Sequence, residues 1–166
     1  YCGESSTRVD AHPDVVMEAA QELGSVMALT RNTSCVHEKI GVYENYHPGN
    51  HAAMILTHDI DLRIFPSHWR HAFMISKETD EGPRRSLQVF DAAGDAVHKV
   101  FLRDGSDTGK FDILVVALAS DDQSQTTEVT KRQPTEAPMM VPGKVDVLRK
   151  EWDRMTDTHQ FLRLVS

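Results

Sequence analysis

Ser86-Leu87-Gln88-Val89-Phe90, followed by Asp91-Ala92-Ala93-Gly94-Asp95 and then Ala96-Val97-His98-Lys99-Val100-Phe101-Leu102, is the stretch that decides the fold. Two strand-like runs flank a short connection rich in small and turn-forming residues, which predicts an antiparallel hairpin. Working outward, Ile60-Asp61-Leu62-Arg63-Ile64 alternates cleanly, with Ile60, Leu62 and Ile64 on one face and Asp61 and Arg63 on the other. His47-Pro48-Gly49-Asn50 is a turn between apolar segments, and the whole span from Gly24 to about Arg103 reads as strands punctuated by turns. Ahead of it, residues 13–23 form an amphipathic helix, with Pro13 in the first turn, Val16, Ala19, Ala20 and Leu23 on one face, and Gly24 closing the end.

Beyond the hairpin, the apolar run from Phe111 to Ala119 fits either a buried helix or a buried strand, and we read it as a helix. Residues 120–144 hold polar residues, Pro134, Pro138, Pro142 and Gly143, and read as a loop or linker, part of which is expected to pair at a sheet edge. A helical pattern then starts at Val145. The class is α+β: a mainly antiparallel β-sheet with a short N-terminal helix and C-terminal helices.

The 166 residues fit one domain, since domains usually run to about 100–150 residues. A net charge of −7 argues against nonspecific binding to nucleic acid or an anionic membrane, because phosphate repels an acidic surface. Cys2 and Cys35 are far apart, with neither a CxxC pair nor a CxxCH haem-attachment motif, and free thiols fit a reducing cytoplasm. No apolar run approaches the roughly 18 residues that span a bilayer. The chain starts at Tyr1 rather than Met and reads as a fragment or processed product, so an earlier signal peptide stays compatible with it. There is no internal repeat.

Val145, Leu148, Trp152, Met155, His159 and Leu162 recur at spacings of three and four, which aligns them on one face of a continuous helix. Thr156-Asp157 are good N-caps and can restart the helix near His159. A histidine on such a stripe has two readings. One is a core imidazole bonded to a backbone carbonyl; the other is an axial ligand to haem iron, which takes neutral imidazole between apolar walls. Pattern alone leaves both open.

His47, His51, His58, His68 and His71 crowd one stretch, but no HExxH occurs and their spacings match no metal motif, so exposed turn and strand histidines are the simpler reading. Glu44 and Asp61 are not spaced for paired acid–base work, and GxSxG, P-loop and GxGxxG motifs are absent. Arg63 stands out on the face opposite its aliphatic neighbours. It is either a surface arginine beside Asp61 or a cation pointing into a cavity, where it can hold water or an anionic oxygen near a metal.

Several stretches in register span nearly the whole chain: Ala28-Leu29-Thr30-Arg31-Asn32 with Val36-His37-Glu38-Lys39, Gly41-Val42-Tyr43-Glu44-Asn45, and Asp61-Leu62-Arg63-Ile64-Phe65 with Trp69. Next come Ser86-Leu87-Gln88-Val89-Phe90-Asp91 and Gly94-Asp95-Ala96-Val97-His98-Lys99-Val100, and finally the run from Glu151 to Phe161 that contains Met155-Thr156-Asp157-Thr158-His159-Gln160-Phe161. Together they resemble the bacterial HemS/ChuS haem-utilisation family, also called haemin-degrading factors. The resemblance implies an antiparallel sheet with stacked helices, His159 as axial ligand, Arg63 on the opposite haem face, His37 as a secondary contact, and Phe65 and Phe161 as pocket walls. It also implies one HemS/ChuX-like domain over residues 1–166, with 120–144 as linker before the ligand helix.

Family members of this type carry two tandem repeats with haem between them, and this chain resembles the first repeat plus the ligand helix. The groups that reach haem from the second repeat are missing, so a homodimer or an absent second repeat is implied. The implied cofactor is non-covalent haem b in a bacterial cytoplasm. Two functions compete: a protein that takes haem from an inner-membrane importer and passes it to a haem oxygenase, or an enzyme that degrades haem with an outside electron donor. The absence of a flavin or nicotinamide motif means the electrons would come from elsewhere.

Overall fold

The computed structural model describes residues 5–132, 134, 137, 139, 141–157 and 160. It divides into two units, Tyr1–Arg132 and Gln133–Ser166.

Among the described residues, the first unit holds nine strands, two α-helices and a 3-10 turn. In chain order the strands and α-helices are β1 (Ser5–Val9), α1 (Pro13–Gln21), β2 (Gly24–Arg31), β3 (Val36–Gly41), β4 (Tyr46–His47), β5 (Ala53–Leu56), β6 (Asp61–Ile64), β7 (His71–Lys77), β8 (Arg84–Phe90), β9 (Ala96–Ser106) and α2 (Thr108–Ala117), with the 3-10 turn, Pro66–His68, between β6 and β7. Six strands form one sheet in the order β1-β7-β8-β9-β2-β3, and β4-β5-β6 form a second. Every pairing is antiparallel. The α+β architecture expected from the hairpin is the one observed.

The deciding hairpin joins β8 to β9, with Leu87 opposite Val100 and Val89 opposite His98. Its connection closes because the Asp91 carboxylate accepts from the backbone N–H groups of Ala93 and Asp95, each at 2.9 Å, while Gly94 takes a φ of 82° that L side chains rarely adopt. β9 runs four residues past the expected Leu102, to Ser106, because an irregularity between Gly24 and Val26 lets Gly24 pair with Ser106.

α1 ends at Gln21, short of the expected residue 23. The N–H groups of Glu22 and Leu23 bond to the carbonyls of Ala19 and Ala20, which tightens the last turn, and Gly24 at φ 70° swings the chain into β2. Leu23 still packs in the core, fully buried with Val16, Met17, Val26, Leu87, Val89 and Val100. The ambiguous apolar run is helical: Asp107 caps α2 by accepting from the Lys110 N–H at 2.7 Å. Only Phe111 and Leu114 of α2 are buried, whereas Ile113 and Val116 are 63% and 79% exposed. After α2 the chain returns to the sheet edge, where Ala119 bridges Val9 and the Ser120 N–H bonds to the Arg8 carbonyl.

In the second unit, a 3-10 turn (Pro142–Lys144) leads into α3 (Val145–Asp153). The apolar stripe does not continue as one helix. The N–H groups of Arg154 and Met155 bond three residues back, to Glu151 and Trp152, which ends α3 ahead of Thr156. His159, Phe161 and Leu162 lie outside the described residues. No helix among the described residues is long and apolar enough to cross a membrane.

The two faces of α2 predict opposite outcomes. Phe111→Ala should cost about 3–5 kcal/mol through lost burial and the cavity left behind. Val116→Ala should stay within about 0.5 kcal/mol, as exposed substitutions do. Urea midpoints of the two variants check this; equal shifts would refute the packing of α2.

Candidate functional site

The two sheets meet around one buried imidazole. His98 lies in β9, on a cross-strand row that runs His37, Thr30, His98, Val89, Ala72, Val9. Val9, Ala72, Val89 and His98 of that row are buried, His98 to 3% exposure, whereas Thr30 and His37 at its far end are exposed. The Nε2 of His98 is 2.7 Å from the Tyr43 hydroxyl and its Nδ1 is 2.9 Å from the Thr30 hydroxyl. A neutral imidazole satisfies both bonds, one as donor and one as acceptor. Trp69 stacks on the ring at 5.9 Å with an interplanar angle of 17°. Burial pushes the His98 pKa down to about 4 and raises that of Tyr43, so both stay uncharged at neutral pH.

Above this network lies a hollow of about 170 Å³, lined by Thr30, Leu62, Arg63, Ile64, Phe65, His68, Trp69, Val97 and His98. The second sheet and the turn after it supply Leu62 to Trp69, and the first sheet supplies the remainder. Enclosed ligand sites usually measure about 300–1,000 Å³, so this hollow can wall one face or edge of a larger flat guest but cannot enclose it.

Arg63 is half-buried on β6, directly across from Met54 of β5, whose sulfur lies 3.9 Å from the guanidinium. No carboxylate among the described residues pairs with it. A guanidinium stays protonated in any protein setting, so the hollow carries a fixed positive charge beside apolar walls. Phe65, 37% exposed, stands at the rim with His51 edge-on to its ring at 6.4 Å.

The structure therefore brings Arg63 and Phe65 together at one hollow. His37 is exposed on the edge strand β3, opposite Thr30, which itself lines the hollow. His159 and Phe161 fall outside the described residues. Sequence reading passed over His98, Tyr43 and Trp69 as site residues, and it placed His68 among ordinary turn histidines. His98 had a signal: it shares the inward alternation of Val100, and a histidine on that face needs partners. His47, His51 and His58 are exposed and His71 half-buried, and none of the four lines the hollow.

The family model for the Haemin-degrading HemS.ChuX domain matches residues 1–118. The chain belongs to this HemS/ChuX family. It is 35% identical over 166 residues to the hemin transport protein HmuS of Yersinia pestis, covering 98% of this chain and 47% of that protein. Against the hemin transport protein HemS of Yersinia enterocolitica it is 39% identical over 163 residues, covering 95% and 46%. Among solved structures it is similar to holo-PhuS, a haem-binding protein from Pseudomonas aeruginosa, with TM-score 0.81 and 37% identity over 96% of this chain and 47% of that one. The haem-degrading enzyme ChuS of Escherichia coli O157:H7 gives TM-score 0.74 and 30% identity, over 96% and 46%. The chain thus spans about half the length of these HemS/ChuX relatives.

The His98 network predicts a pH dependence. Its folded pKa lies below the unfolded value of 6.5, so the unfolded chain takes up the proton first as pH falls. The contribution is complete above pH 6.5 and drains away toward about pH 4, on the order of 3 kcal/mol in all. Tyr43→Phe, which leaves Nε2 without its partner, should cost about 1–3 kcal/mol at neutral pH. Urea titrations across pH 4–8 test both; a flat profile for the wild type would refute the buried neutral imidazole.

Proposed function

We propose that this chain binds haem b without a covalent link and carries it through a bacterial cytoplasm. On this reading it accepts haem from an inner-membrane importer and passes it to a haem oxygenase. His159 supplies the axial imidazole, Arg63 faces the opposite side of the macrocycle, Phe65 and Phe161 wall it, and His37 gives a secondary contact. The observation that carries the reading is the hollow itself, apolar and shallow, with one guanidinium on it that no carboxylate among the described residues pairs, in a chain of the HemS/ChuX family. Porphyrin faces favour apolar walls, and an arginine can hold a water or an anionic oxygen by charge-assisted hydrogen bonds.

Haemin added to the purified protein should give a Soret band that His159→Ala shifts or removes. Arg63→Ala should leave the axial bond in place and move the acid–alkaline transition of the ferric spectrum. An unchanged spectrum in the first variant would sink the ligand assignment, and an unmoved transition in the second would sink the Arg63 role.

The second reading is degradation, favoured by the 30% identity to a protein described as a haem-degrading enzyme. We prefer carriage because a hollow too small to enclose its guest excludes water poorly, and oxygen chemistry needs that exclusion. Ascorbate or a reductase with oxygen separates the two. Soret decay with iron release that survives catalase means degradation; intact haem that transfers rapidly to an oxygenase means carriage.

A further inference from the structure

Two histidines line the hollow, and their circumstances differ. Both ring nitrogens of His98 are committed, to Tyr43 and to Thr30, and the ring is buried. To coordinate a metal, one of these nitrogens must give up its hydrogen bond: Nε2 would leave the Tyr43 hydroxyl buried without its partner, and Nδ1 would release Thr30.

His68 is exposed and ends the single 3-10 turn Pro66–His68. Its backbone N–H bonds to the Phe65 carbonyl at 3.0 Å, which fixes the turn and leaves the ring out of the hydrogen-bonding. No partner for its imidazole occurs among the described residues. The same turn carries Phe65 at its start, and β6 with Arg63 immediately precedes it. Arg63 has no lone pair to offer a metal. Among the described residues, His68 is therefore the one strong metal donor on the hollow with a free ring nitrogen.

We propose that His68 is an accessory axial ligand for haem iron, contributed by the first unit alone. The inference rests on the haem-binding reading above. The bond is dative: a neutral imidazole nitrogen gives its lone pair to iron, a protonated one first releases its proton to solvent, and nothing is oxidised or reduced. An exposed donor at the rim suits capture and release, because coordinating it neither unpacks the core nor strips a buried partner.

The test is haemin titration of the wild type, His68→Ala, His159→Ala and the double variant, followed by absorption and by low-temperature electron paramagnetic resonance. His37→Ala on the His159→Ala background runs in parallel, and far-ultraviolet circular dichroism verifies the fold of each. His159→Ala should shift the Soret band yet retain an imidazole-ligated resonance, with roughly tenfold weaker binding. Adding His68→Ala should abolish that signal, whereas adding His37→Ala should not. The proposal is overturned if the residual signal ignores His68, follows His37 instead, or is already absent in His159→Ala. A wild type that shows no Soret band at all would overturn the haem-binding reading itself, which separates the two failures.

Discussion

The contact between the Tyr43 hydroxyl and His98 Nε2, with Thr30 on the opposite ring nitrogen, holds the two sheets in their relation. His98 belongs to β9 and Thr30 to β2, adjacent strands of the larger sheet. Tyr43 lies on the segment that leaves β3 toward the smaller sheet, and Trp69 on the segment that returns from it. One neutral ring thus joins four parts of the chain. The joint works only while the ring is uncharged, because an imidazolium at that depth would lose its hydration, and no carboxylate among the described residues faces it. Three members of this joint, His98, Thr30 and Trp69, also line the hollow on which Arg63 lies.

The larger sheet was legible because its strands alternate with period two and its decisive turn carries Asp91 and Gly94 at the positions a tight connection needs. Boundaries were less legible where tertiary pairing overrode local pattern. Leu23 completes the helical stripe of α1 yet leaves the helix, because Gly24 redirects the chain. The run from Phe111 was ambiguous because it is apolar all round, and the cap at Asp107 together with burial of Phe111 and Leu114 decides it. The stripe from Val145 is helical only in its first part, ahead of the break that Thr156-Asp157 offered. Its spacing is helical, but α3 stops at Asp153, and Leu148 and Trp152 are 45% and 54% exposed.

The site was half legible for a related reason. Arg63 announced itself as a charge inside an alternating aliphatic strand, and it does lie on the hollow. His98 was hidden because a histidine among apolar residues looks the same whether it is a ligand or a packed core group. What separates the two is the fate of its nitrogens, and that depends on Tyr43, 55 positions away, and Thr30, 68 away. No local pattern reports partners at that distance.

The same distinction orders the histidines of the hollow by chemistry. A metal ligand needs a lone pair available at small cost. His98 fails because each of its nitrogens is engaged inside the core. Arg63 fails because a guanidinium has donors but no lone pair to offer, which suits it to hold an anionic oxygen rather than to bind iron. His68 meets the requirement by being exposed, and its backbone bond to Phe65 holds the turn without involving the ring. Structural support, fixed charge and coordination are thus divided among three neighbouring side chains. Such a division lets a shallow hollow release its guest without disturbing the core, because the donor that would exchange is the one the fold does not depend on.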